Sequence, residues 1–236
     1  MELSVVIATH NRIEQLKRVL PSILEQSVEC EMVIVDDGSR DGTDTWIDTL
    51  GIPRLNLIRI PTHGWRNPSY AKNLGVSHAK GDIVLVQDGE ILHESSGNLE
   101  RVVNHFRLWD KPDVPLYVKP RSLWHEQRGF SPVFQESYVK VGIFSAMYRV
   151  DYIRLGGFNE EFTQWGNEDL DFIRRVGISG FKTVQDPEIK VRHLEHETCP
   201  DSEGNPARHV EECGMANSNW EQIVQGKASP FIEWRH

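Results

Sequence analysis

The stretch "LSVVIATHNR", residues 3–12, is a short apolar run that ends in four polar residues. Its continuous, β-branched apolar part is typical of a strand that is buried on both faces of a parallel sheet. A helical pattern follows over residues 12–26, where apolar side chains recur every three or four positions. Pro21 lies inside this pattern and is expected to kink or divide the helix. A buried strand, a polar turn and an amphipathic helix in this order predict the first unit of an α/β fold.

The same alternation continues to residue 88. Three further strands are predicted over 32–35, 55–60 and 82–88, and helices are predicted between them over 42–50 and 69–79. Thr43 or Asp44 is expected to cap the helix over 42–50. Four strands and three helices within about 90 residues predict right-handed βαβ units, in which a mostly parallel sheet lies between helices.

The regular alternation stops after residue 96. The remaining predicted elements are helices over 97–109 and 167–180, strands over 115–124, 141–150 and 181–197, a loop over 125–137 and a turn over 154–162. We therefore expect one domain over residues 1–197, made of a regular half (1–96) and a smaller lobe (97–197), followed by a C-terminal extension (198–236).

The composition limits the classes of partner. The chain of 236 residues has a formal net charge of −9, so a broad basic surface for nucleic acid or anionic lipid is not expected, whereas a local cationic pocket stays open. The sequence has no apolar run of the roughly 18–20 residues that cross a bilayer, and its N-terminus lacks the pattern of a signal peptide. Three cysteines form no even disulfide framework. These features predict a cytoplasmic protein without a transmembrane segment, and peripheral contact with a membrane stays open.

Polar residues follow three of the predicted strands, at the edge of the sheet where α/β folds usually bind ligands. They are Thr9, Asn11 and Arg12 after the first strand, Asp36 and Asp37 after the second, and Asp88 and Glu90 after the fourth. A carboxylate in such a place can accept hydrogen bonds from a base or from ribose hydroxyls, and it can equally close a loop.

Asp88 and Glu90 flank Gly89, so both carboxylates can turn toward one hard cation as the strand ends. Mg²⁺ and Mn²⁺ take such oxygen ligands and keep positions open for phosphate oxygens. Asp-Gly is also a common turn dipeptide, and the residues alone do not separate the two interpretations. His193 and His196 are further candidate metal ligands, although a single histidine more often serves polar packing.

Two cations before and within the third helix, Arg66 and Lys72, could offset the charge of a diphosphate. A lysine on a helix is more often solvated than a ligand, so this interpretation competes with an ordinary surface position. The sequence contains no P-loop, no G-x-G-x-x-G after the first strand and no G-x-S-x-G motif. Their absence disfavours ATPases, nicotinamide dehydrogenases and α/β-hydrolases.

The stretch "FTQWGNEDLDFIRR", residues 162–175, places three acids at the start of a predicted helix. They are Glu168, Asp169 and Asp171, and Trp165 precedes them. An acidic cluster is usually a solvated helix face. A carboxylate held in position can also act as a general base, so the cluster is a candidate catalytic group.

Five segments, in this order along the chain, resemble the family 2 nucleotide-sugar glycosyltransferases, whose fold is called GT-A. They are "SVVIATHNR", "VIVDDGSRDGT", "YAKNLGVSHAKGDIVLVQDGE", "GGFNEEFTQWGNEDLDFIRRV" and "VRHLEHE". The resemblance extends from about residue 2 to residue 197. Each segment has little specificity alone, whereas five in sequence are strongly specific. The resemblance implies the GT-A α/β fold, with 1–96 as the nucleotide-binding half and 97–197 as the acceptor and catalytic half.

For the donor nucleotide, the resemblance implies five contacts. Thr9, Asn11 and Arg12 match the loop that borders the nucleoside. Asp36 and Asp37 match the acids that hold the base and the ribose, and Asp37 is the better match for contact with uracil.

For the metal, the resemblance implies a site for Mn²⁺ or Mg²⁺. Asp88 and Glu90 occupy the place of the metal-binding D-x-D motif, with Glu90 in place of its final aspartate. His193 matches a late histidine that completes the coordination, and His196 is the alternate. Lys72, a candidate phosphate ligand, stands where the family often has arginine.

For catalysis, "WGNEDLD" resembles the W-G-x-E-D-x-D segment of the family. The resemblance implies that Asp169 is the general base for an acceptor hydroxyl. Glu168 would bind the acceptor or hold Asp169 in place, and Trp165 would form a wall beside a sugar.

The resulting expectation is an inverting, metal-dependent glycosyltransferase that uses a nucleotide-diphospho sugar, with a UDP-sugar favoured, and a glycan or another hydroxyl-bearing acceptor. The acidic composition disfavours a nucleic acid acceptor without excluding it. A sugar nucleotidyltransferase is a different enzyme class, but it would begin with a glycine-rich basic loop, and "ATHNRIEQLKR" has no glycine. A non-catalytic scaffold of the same fold agrees with Glu90 in the D-x-D position, whereas the acids Glu168 and Asp169 argue against it.

Overall fold

The computed structural model describes residues 1–61, 67–125, 129–132, 144–162, 168–196 and 233–236. The strands are β1 (Leu3–Thr9), β2 (Glu31–Asp37), β3 (Leu55–Ile60), β4 (Ile83–Asp88), β5 (Ile91–His93), β6 (Leu116–Pro120), β7 (Ser122–His125), β8 (Gly129–Pro132), β9 (Phe144–Tyr148), β10 (Lys182–Asp186) and β11 (Val191–His193). The helices are α1 (Ile13–Leu24), α2 (Thr43–Thr49), α3 (Pro68–His78), α4 (Asn98–Arg107), α5 (Arg149–Leu155) and α6 (Glu168–Ile178). Among the described residues, no helix is both long and apolar enough to cross a lipid bilayer.

The main sheet has seven strands in the order β10-β6-β9-β4-β1-β2-β3. β1 pairs in parallel with β2 and with β4, and β2 pairs in parallel with β3. β9 is antiparallel to both β4 and β6, so β6 runs in the same direction as β1 and β4. The prediction of a mostly parallel sheet built from βαβ units is confirmed, and the carboxyl ends of β1, β2, β4 and β6 lie along one edge.

Each face of this sheet packs against helices. Val5 and Ile7 of β1 belong to a core cluster that includes α1 and α4, whereas Val6 belongs to the opposite cluster, which includes α3, α5 and α6. This alternation follows from the two-residue period of a strand. The continuous apolar pattern of β1 therefore reflects burial on both faces, as its sequence predicts.

Helix α3 lies unusually close to β1. A Cβ atom added at Gly75 would lie 2.3 Å from Cγ1 of Val6, which is too close for any other side chain without movement. Lys72 is three residues before Gly75 and therefore faces the same sheet. The close packing brings this lysine to the carboxyl edge of the strands.

A second sheet has four strands in the order β5-β11-β7-β8. β5 begins directly after Glu90 and pairs antiparallel with β11, so that His193 lies opposite Ile91. The backbone N–H of Leu194 donates to the carbonyl oxygen of Glu90 at 2.9 Å. This sheet carries the late histidines back to the end of β4.

Two predicted strands are each divided between the two sheets. The stretch 115–124 forms β6 in the main sheet and β7 in the second sheet, and the stretch 181–197 forms β10 and β11 in the same way. Pro120 ends β6 and Pro187 follows β10, and proline donates no hydrogen bond to a ladder. The prediction that each stretch forms one continuous strand is therefore wrong, because each strand is interrupted at its proline.

The sequence did not predict helix α5. It predicted a strand over 141–150 and a turn over 154–162, and α5 lies across the end of that strand and the start of that turn. The strand ends at Tyr148, and a helix follows that buries Tyr152 and Leu155 and leaves Val150 exposed. Its β-branched residues resemble a strand pattern, and its seven residues are too few to show a helical period. Strand β8 likewise lies within the stretch predicted as a loop.

Two local predictions concern Pro21 and the start of helix α2. Helix α1 continues through Pro21 as one element, so the helix is not divided there, and the alternative of a kink stays a prediction. Helix α2 is capped by neither Thr43 nor Asp44: its N-cap is Gly42 at a φ of 85°. Asp41 accepts hydrogen bonds from both the backbone N–H (3.0 Å) and the hydroxyl (2.6 Å) of Thr43. The side chain that accepts hydrogen bonds from the first turn of the helix is therefore that of Asp41, which precedes both predicted residues.

Candidate active site

The loops after β1 and β2 are tied together at the carboxyl edge. Asn11 has a φ of 51°, its backbone N–H donates to Oγ of Ser39 at 2.8 Å, and its Oδ1 accepts from the backbone N–H of Arg40 at 2.7 Å. Nδ1 of His10 donates to the carbonyl oxygen of Asp37 at 2.6 Å. The left-handed backbone at Asn11 is favoured because its short amide bonds locally, and it aligns the two loops that were predicted to border a nucleoside.

Asp36 and Asp37, the last two residues of β2, are buried and have protein partners. Asp36 accepts hydrogen bonds from the hydroxyl and the backbone N–H of Ser39, and burial raises the pKa of the Asp36 carboxyl above its usual value. Oδ2 of Asp37 accepts from the backbone N–H of Asn67 at 3.1 Å, where helix α3 begins. The expected contacts of these acids with a base and a ribose stay predictions.

Thr9 packs against the turn that follows β4. Its Oγ1 is buried, has no hydrogen-bond partner in the described part of the chain, and lies 3.1 Å from a Cβ atom placed on Gly89. Its contact with a nucleoside stays a prediction. Arg66 and Trp165, which were predicted to contact the diphosphate and the sugar, lie outside the described residues.

Glu90, His193 and His196 form one group of candidate metal ligands. One ligand atom from each lies within 4.8 Å of the others. Nε2 of His196 is 3.1 Å and Nε2 of His193 is 3.7 Å from Oε1 of Glu90. The sequence treated the two histidines as alternatives, whereas the structure brings both to the same carboxylate. Asp88 does not belong to this group among the described residues.

The protonation states of Glu90 and His193 suit metal binding. Burial alone would raise the pKa of Glu90, but the hydrogen bond from His196 and the charges of Arg12 and His193 outweigh it and lower the pKa to about 2. Burial lowers the pKa of His193. A charged carboxylate and a neutral imidazole are the forms that bind a metal. Two imidazoles with one carboxylate fit Mn²⁺ or another transition metal better than Mg²⁺, which prefers oxygen ligands.

Arg12 also reaches this group, a contact that the sequence did not predict. Its Nη2 lies 2.9 Å from Nδ1 of His196, and its Nε lies 3.8 Å from Oε2 of Glu90. Arginine has no acceptor atom, so Nδ1 of His196 accepts this hydrogen bond. The guanidinium of Arg12 therefore binds the ring nitrogen of His196 that does not face Glu90. The two residues are 184 positions apart, so no local sequence pattern could indicate this contact.

Lys72 lies among three acids, the two predicted catalytic acids and Asp88. Its Nζ is 3.0 Å from Oδ1 of Asp169, 3.3 Å from Oδ1 of Asp88 and 3.6 Å from Oε1 of Glu168. The lysine is 1% exposed, so the alternative of a solvated helix residue is wrong. Burial lowers the pKa of Lys72, but the three carboxylates outweigh burial and raise it well above its usual value. Lys72 therefore forms ion pairs with three acids, and its contact with a phosphate stays a prediction.

Asp169 is poised to exchange a proton near neutral pH. Burial, with the charges of Glu168 and Asp88, raises the pKa of Asp169 to about 7, although the charge of Lys72 lowers it. A general base works best when its pKa lies near the working pH. The buried Glu168 rules out a purely solvated acidic face for this helix start.

Arg175 links helix α6 to the end of helix α5. It is 1% exposed, and it donates to Oδ2 of Asp171 (2.8 Å) and to the carbonyl oxygens of Leu155 (3.1 Å) and Gly157 (2.6 Å). The third acid of the cluster is therefore a structural partner, four residues before the arginine on the same helix. This i,i+4 spacing was visible in the sequence and could have separated Asp171 from the two acids at Lys72.

A comparison with known families decides which family this site belongs to. The model of the family described as "Glycosyl transferase family 2" matches residues 4–153 of the 236-residue chain. The chain belongs to glycosyl transferase family 2. A second model, described as "N-terminal domain of galactosyltransferase", matches residues 131–197 of this family 2 chain, the region that carries Glu168, Asp169, His193 and His196.

Curated relatives of this family 2 chain include the 4,4'-diaponeurosporenoate glycosyltransferases of several Staphylococcus aureus strains. The protein of strain USA300 is 24% identical over 147 residues, which cover 61% of this chain. The match covers 39% of the length of that relative, so the chain spans about two fifths of it.

Solved structures similar to this family 2 chain have the GT-A fold. S. aureus TarS 1–349 in complex with UDP-GlcNAc has a TM-score of 0.70 at 17% identity, and the match covers 92% of this chain and 65% of that one. The mannosyltransferase PcManGT from Pyrobaculum calidifontis, in complex with GDP-Man and Mn²⁺, has a TM-score of 0.62 at 23% identity, with coverages of 81% and 56%. The expected GT-A fold is confirmed.

Proposed function

We propose that this chain transfers a sugar from a nucleotide-diphospho donor to an acceptor hydroxyl, with inversion at the anomeric carbon. The observation that carries the proposal is the placement of Asp169 at the start of helix α6, with a pKa of about 7, beside the buried ammonium of Lys72. A family 2 chain with a proton acceptor at this edge of the sheet has the group that such a transfer needs.

In the proposed reaction, Asp169 accepts the proton of the acceptor hydroxyl while the hydroxyl oxygen forms a bond to the anomeric carbon. The bond from that carbon to the diphosphate oxygen breaks, and the nucleoside diphosphate leaves with the electron pair. A single displacement of this kind inverts the configuration. Lys72 holds the Asp169 carboxylate in place at 3.0 Å, and Glu168, on the same lysine, is positioned to accept a hydrogen bond from the acceptor.

Glu90, His193 and His196 would hold a divalent cation, and we propose Mn²⁺ rather than Mg²⁺ because of the two imidazole ligands. When bound, such a cation neutralises charge on the diphosphate leaving group. Asp88 is proposed to act through Lys72, at 3.3 Å, instead of as a direct ligand. This differs from the expected D-x-D arrangement, in which both acids face one cation.

A UDP-sugar is the favoured donor. The similar TarS structure contains UDP-GlcNAc, and Asp36 and Asp37 end β2 at the carboxyl edge, where the nucleoside is expected. PcManGT contains GDP-Man, so a GDP-sugar is the second donor to test. The acceptor is proposed to be a glycan or another hydroxyl-bearing molecule, and a cytoplasmic location stays a prediction.

The test compares Asp169→Asn with Asp171→Asn, a matched loss of one acid from the same helix turn. Release of UDP from UDP-GlcNAc and other UDP-sugars is measured with Mn²⁺, and the anomer formed is read by proton NMR. We expect Asp169→Asn to lower turnover by about 10²–10⁴-fold, the usual contribution of a general base, with UDP affinity retained. Asp171→Asn should keep turnover and lose some thermal stability. Near-normal turnover in Asp169→Asn, or retention of configuration, would contradict the proposal.

A further inference from the structure

Lys119 is a buried lysine near the carboxyl end of β6. It is 6% exposed and lies one residue before the end of the strand. β6 runs in the same direction as β1 and β4, so its carboxyl end lies on the same edge as Asp88. The position is therefore on the ligand-binding side of the sheet and not in the centre of the core.

Lys119 faces the same side of the sheet as the catalytic acids. Tyr117, two residues earlier, packs in the core cluster that contains Val86 and Phe172. Residues two apart on a strand share a face, so Lys119 and Asp88 extend that face toward the carboxyl edge. Burial and the charge of Asp169 both raise the pKa of Tyr117 above its usual value, which places Asp169 on this side as well.

The register of the strands gives the distance of Lys119 from β4, the strand that ends in Asp88. Val86 pairs with Ser145, and Val118 pairs with Ala146, so Lys119 continues the same ladder opposite Ser145. Strands lie about 4.8 Å apart, which puts Lys119 about 10 Å from β4. A substrate on this face could touch both Asp169 and Lys119.

The backbone of Lys119 pairs within the sheet, but its ammonium has no hydrogen bond or ion pair with any residue in the described ranges. Lys72 is more deeply buried and has three carboxylate partners. Burial lowers the pKa of Lys119, and no described carboxylate opposes that effect. Nζ of Lys119 is not among the described buried atoms that lack a partner, so the stem of the lysine is buried while its ammonium reaches the solvent at this edge, where an anion of the substrate can meet it.

We propose that Lys119 forms an anion subsite, which binds a carboxylate or phosphate group of the substrate next to the sugar-transfer centre. The proposal rests on the transferase function proposed above and deepens it. The diphosphate of the donor is expected beside Glu90 and Arg12. The anion at Lys119 is thus a second negative group, carried either by the acceptor or by the donor sugar.

The test measures the affinity of matched charged and neutral probes by calorimetry, for the wild type, Lys119→Met and Lys119→Arg. For an anion on the acceptor, the pairs are methyl glucuronide against methyl glucoside and glycerol 1-phosphate against glycerol, each with UDP and Mn²⁺. For an anion on the donor, the pair is UDP-glucuronic acid against UDP-glucose. In the wild type we expect the charged member of at least one pair to bind about 10- to 100-fold more tightly, the range for a hydrogen bond to a charged group.

Lys119→Met should remove this preference without changing the affinity for UDP, and Lys119→Arg should keep part of it. The unfolding midpoint of Lys119→Met should stay close to that of the wild type, because methionine keeps most of the buried apolar stem. The proposal is overturned if the wild type prefers no charged probe or if the preference survives in Lys119→Met. The acceptor probes are also titrated without UDP, so a failure of UDP to bind counts against the transferase function alone.

Discussion

The guanidinium of Arg12 donates a hydrogen bond to Nδ1 of His196 at 2.9 Å, across 184 positions of sequence. The contact restricts the histidine, because an imidazole that binds a metal through Nε2 in its neutral form carries its proton on Nδ1. An Nδ1 atom that accepts from Arg12 cannot carry that proton. Metal binding through Nε2 of His196 therefore requires Arg12 to move away, which frees its charge for a diphosphate.

The first prediction follows from this competition. Arg12→Met should bind Mn²⁺ about tenfold more tightly than the wild type, since a unit charge about 4 Å away opposes a cation by on the order of 1–4 kcal/mol between water and an effective dielectric of about 20. The same substitution should weaken the binding of UDP. Calorimetry measures both affinities, and Arg12→Lys, which keeps the charge, is the control. Unchanged or weaker Mn²⁺ binding in Arg12→Met would show that Arg12 does not compete with the metal.

The second prediction concerns the dependence of activity on pH. The deprotonated form of Asp169 is the base, and its pKa is about 7, so kcat/KM should be constant above that pH. Below it, kcat/KM should fall about tenfold per pH unit as the carboxylate takes up its proton. Hydrolysis of a UDP-sugar, measured from pH 5 to 9, provides the profile.

Lys72 influences the pH at which kcat/KM begins to fall, which is the acid limb of the profile. Its charge lowers the pKa of Asp169, so Lys72→Met should raise that pKa and move the acid limb to higher pH. Lys72→Arg keeps the charge and should leave the limb closer to its original place. A limb that stays in place in Lys72→Met, or moves to lower pH, would contradict the assignment of Asp169 as the titrating group.

The third prediction concerns the metal ligands. Chelation by EDTA should abolish hydrolysis of the UDP-sugar, and Mn²⁺ should restore it more effectively than Mg²⁺, because the candidate group contains two imidazoles. His193→Ala and His196→Ala should each weaken Mn²⁺ binding, as measured by electron paramagnetic resonance of the free ion. His78→Ala changes an exposed histidine of α3 and serves as the control. Equal Mn²⁺ affinity in all three variants would remove both histidines from the site.

The fourth prediction concerns the packing of α3 on β1. Gly75→Ala should destabilise the protein by about 1–3 kcal/mol, the usual cost of overpacking, because the new Cβ atom would lie 2.3 Å from Cγ1 of Val6. Gly177→Ala is the matched control in helix α6, where an added Cβ atom meets no atom within 4 Å. It should be neutral or stabilising by up to about 1 kcal/mol, owing to the helix propensity of alanine. Urea unfolding of both variants checks the difference in free energy of unfolding.

The regular half of the fold could be predicted because its signals are local. Buried parallel strands have continuous apolar runs, helices between them repeat every three or four residues, and polar residues at strand ends mark the ligand edge. The short α5 was not predictable in the same way, since Val150 and Ile153 resemble strand residues and only the burial of Tyr152 and Leu155 shows the helix. The divisions at Pro120 and Pro187 separate strands that belong to different sheets.

By itself, the sequence determined the α/β alternation, the family resemblance and the residues that meet at the carboxyl edge, because periodicity and motif order are properties of neighbouring positions. Only the tertiary structure decided how those residues pair. It placed Lys72 among Asp88, Glu168 and Asp169, joined both late histidines to Glu90, and brought Lys119 to the carboxyl edge with its ammonium unpaired among the described residues. The physical reason is that the charge state and the partner of a side chain depend on burial and on groups that are distant in the chain and become neighbours only in the folded protein.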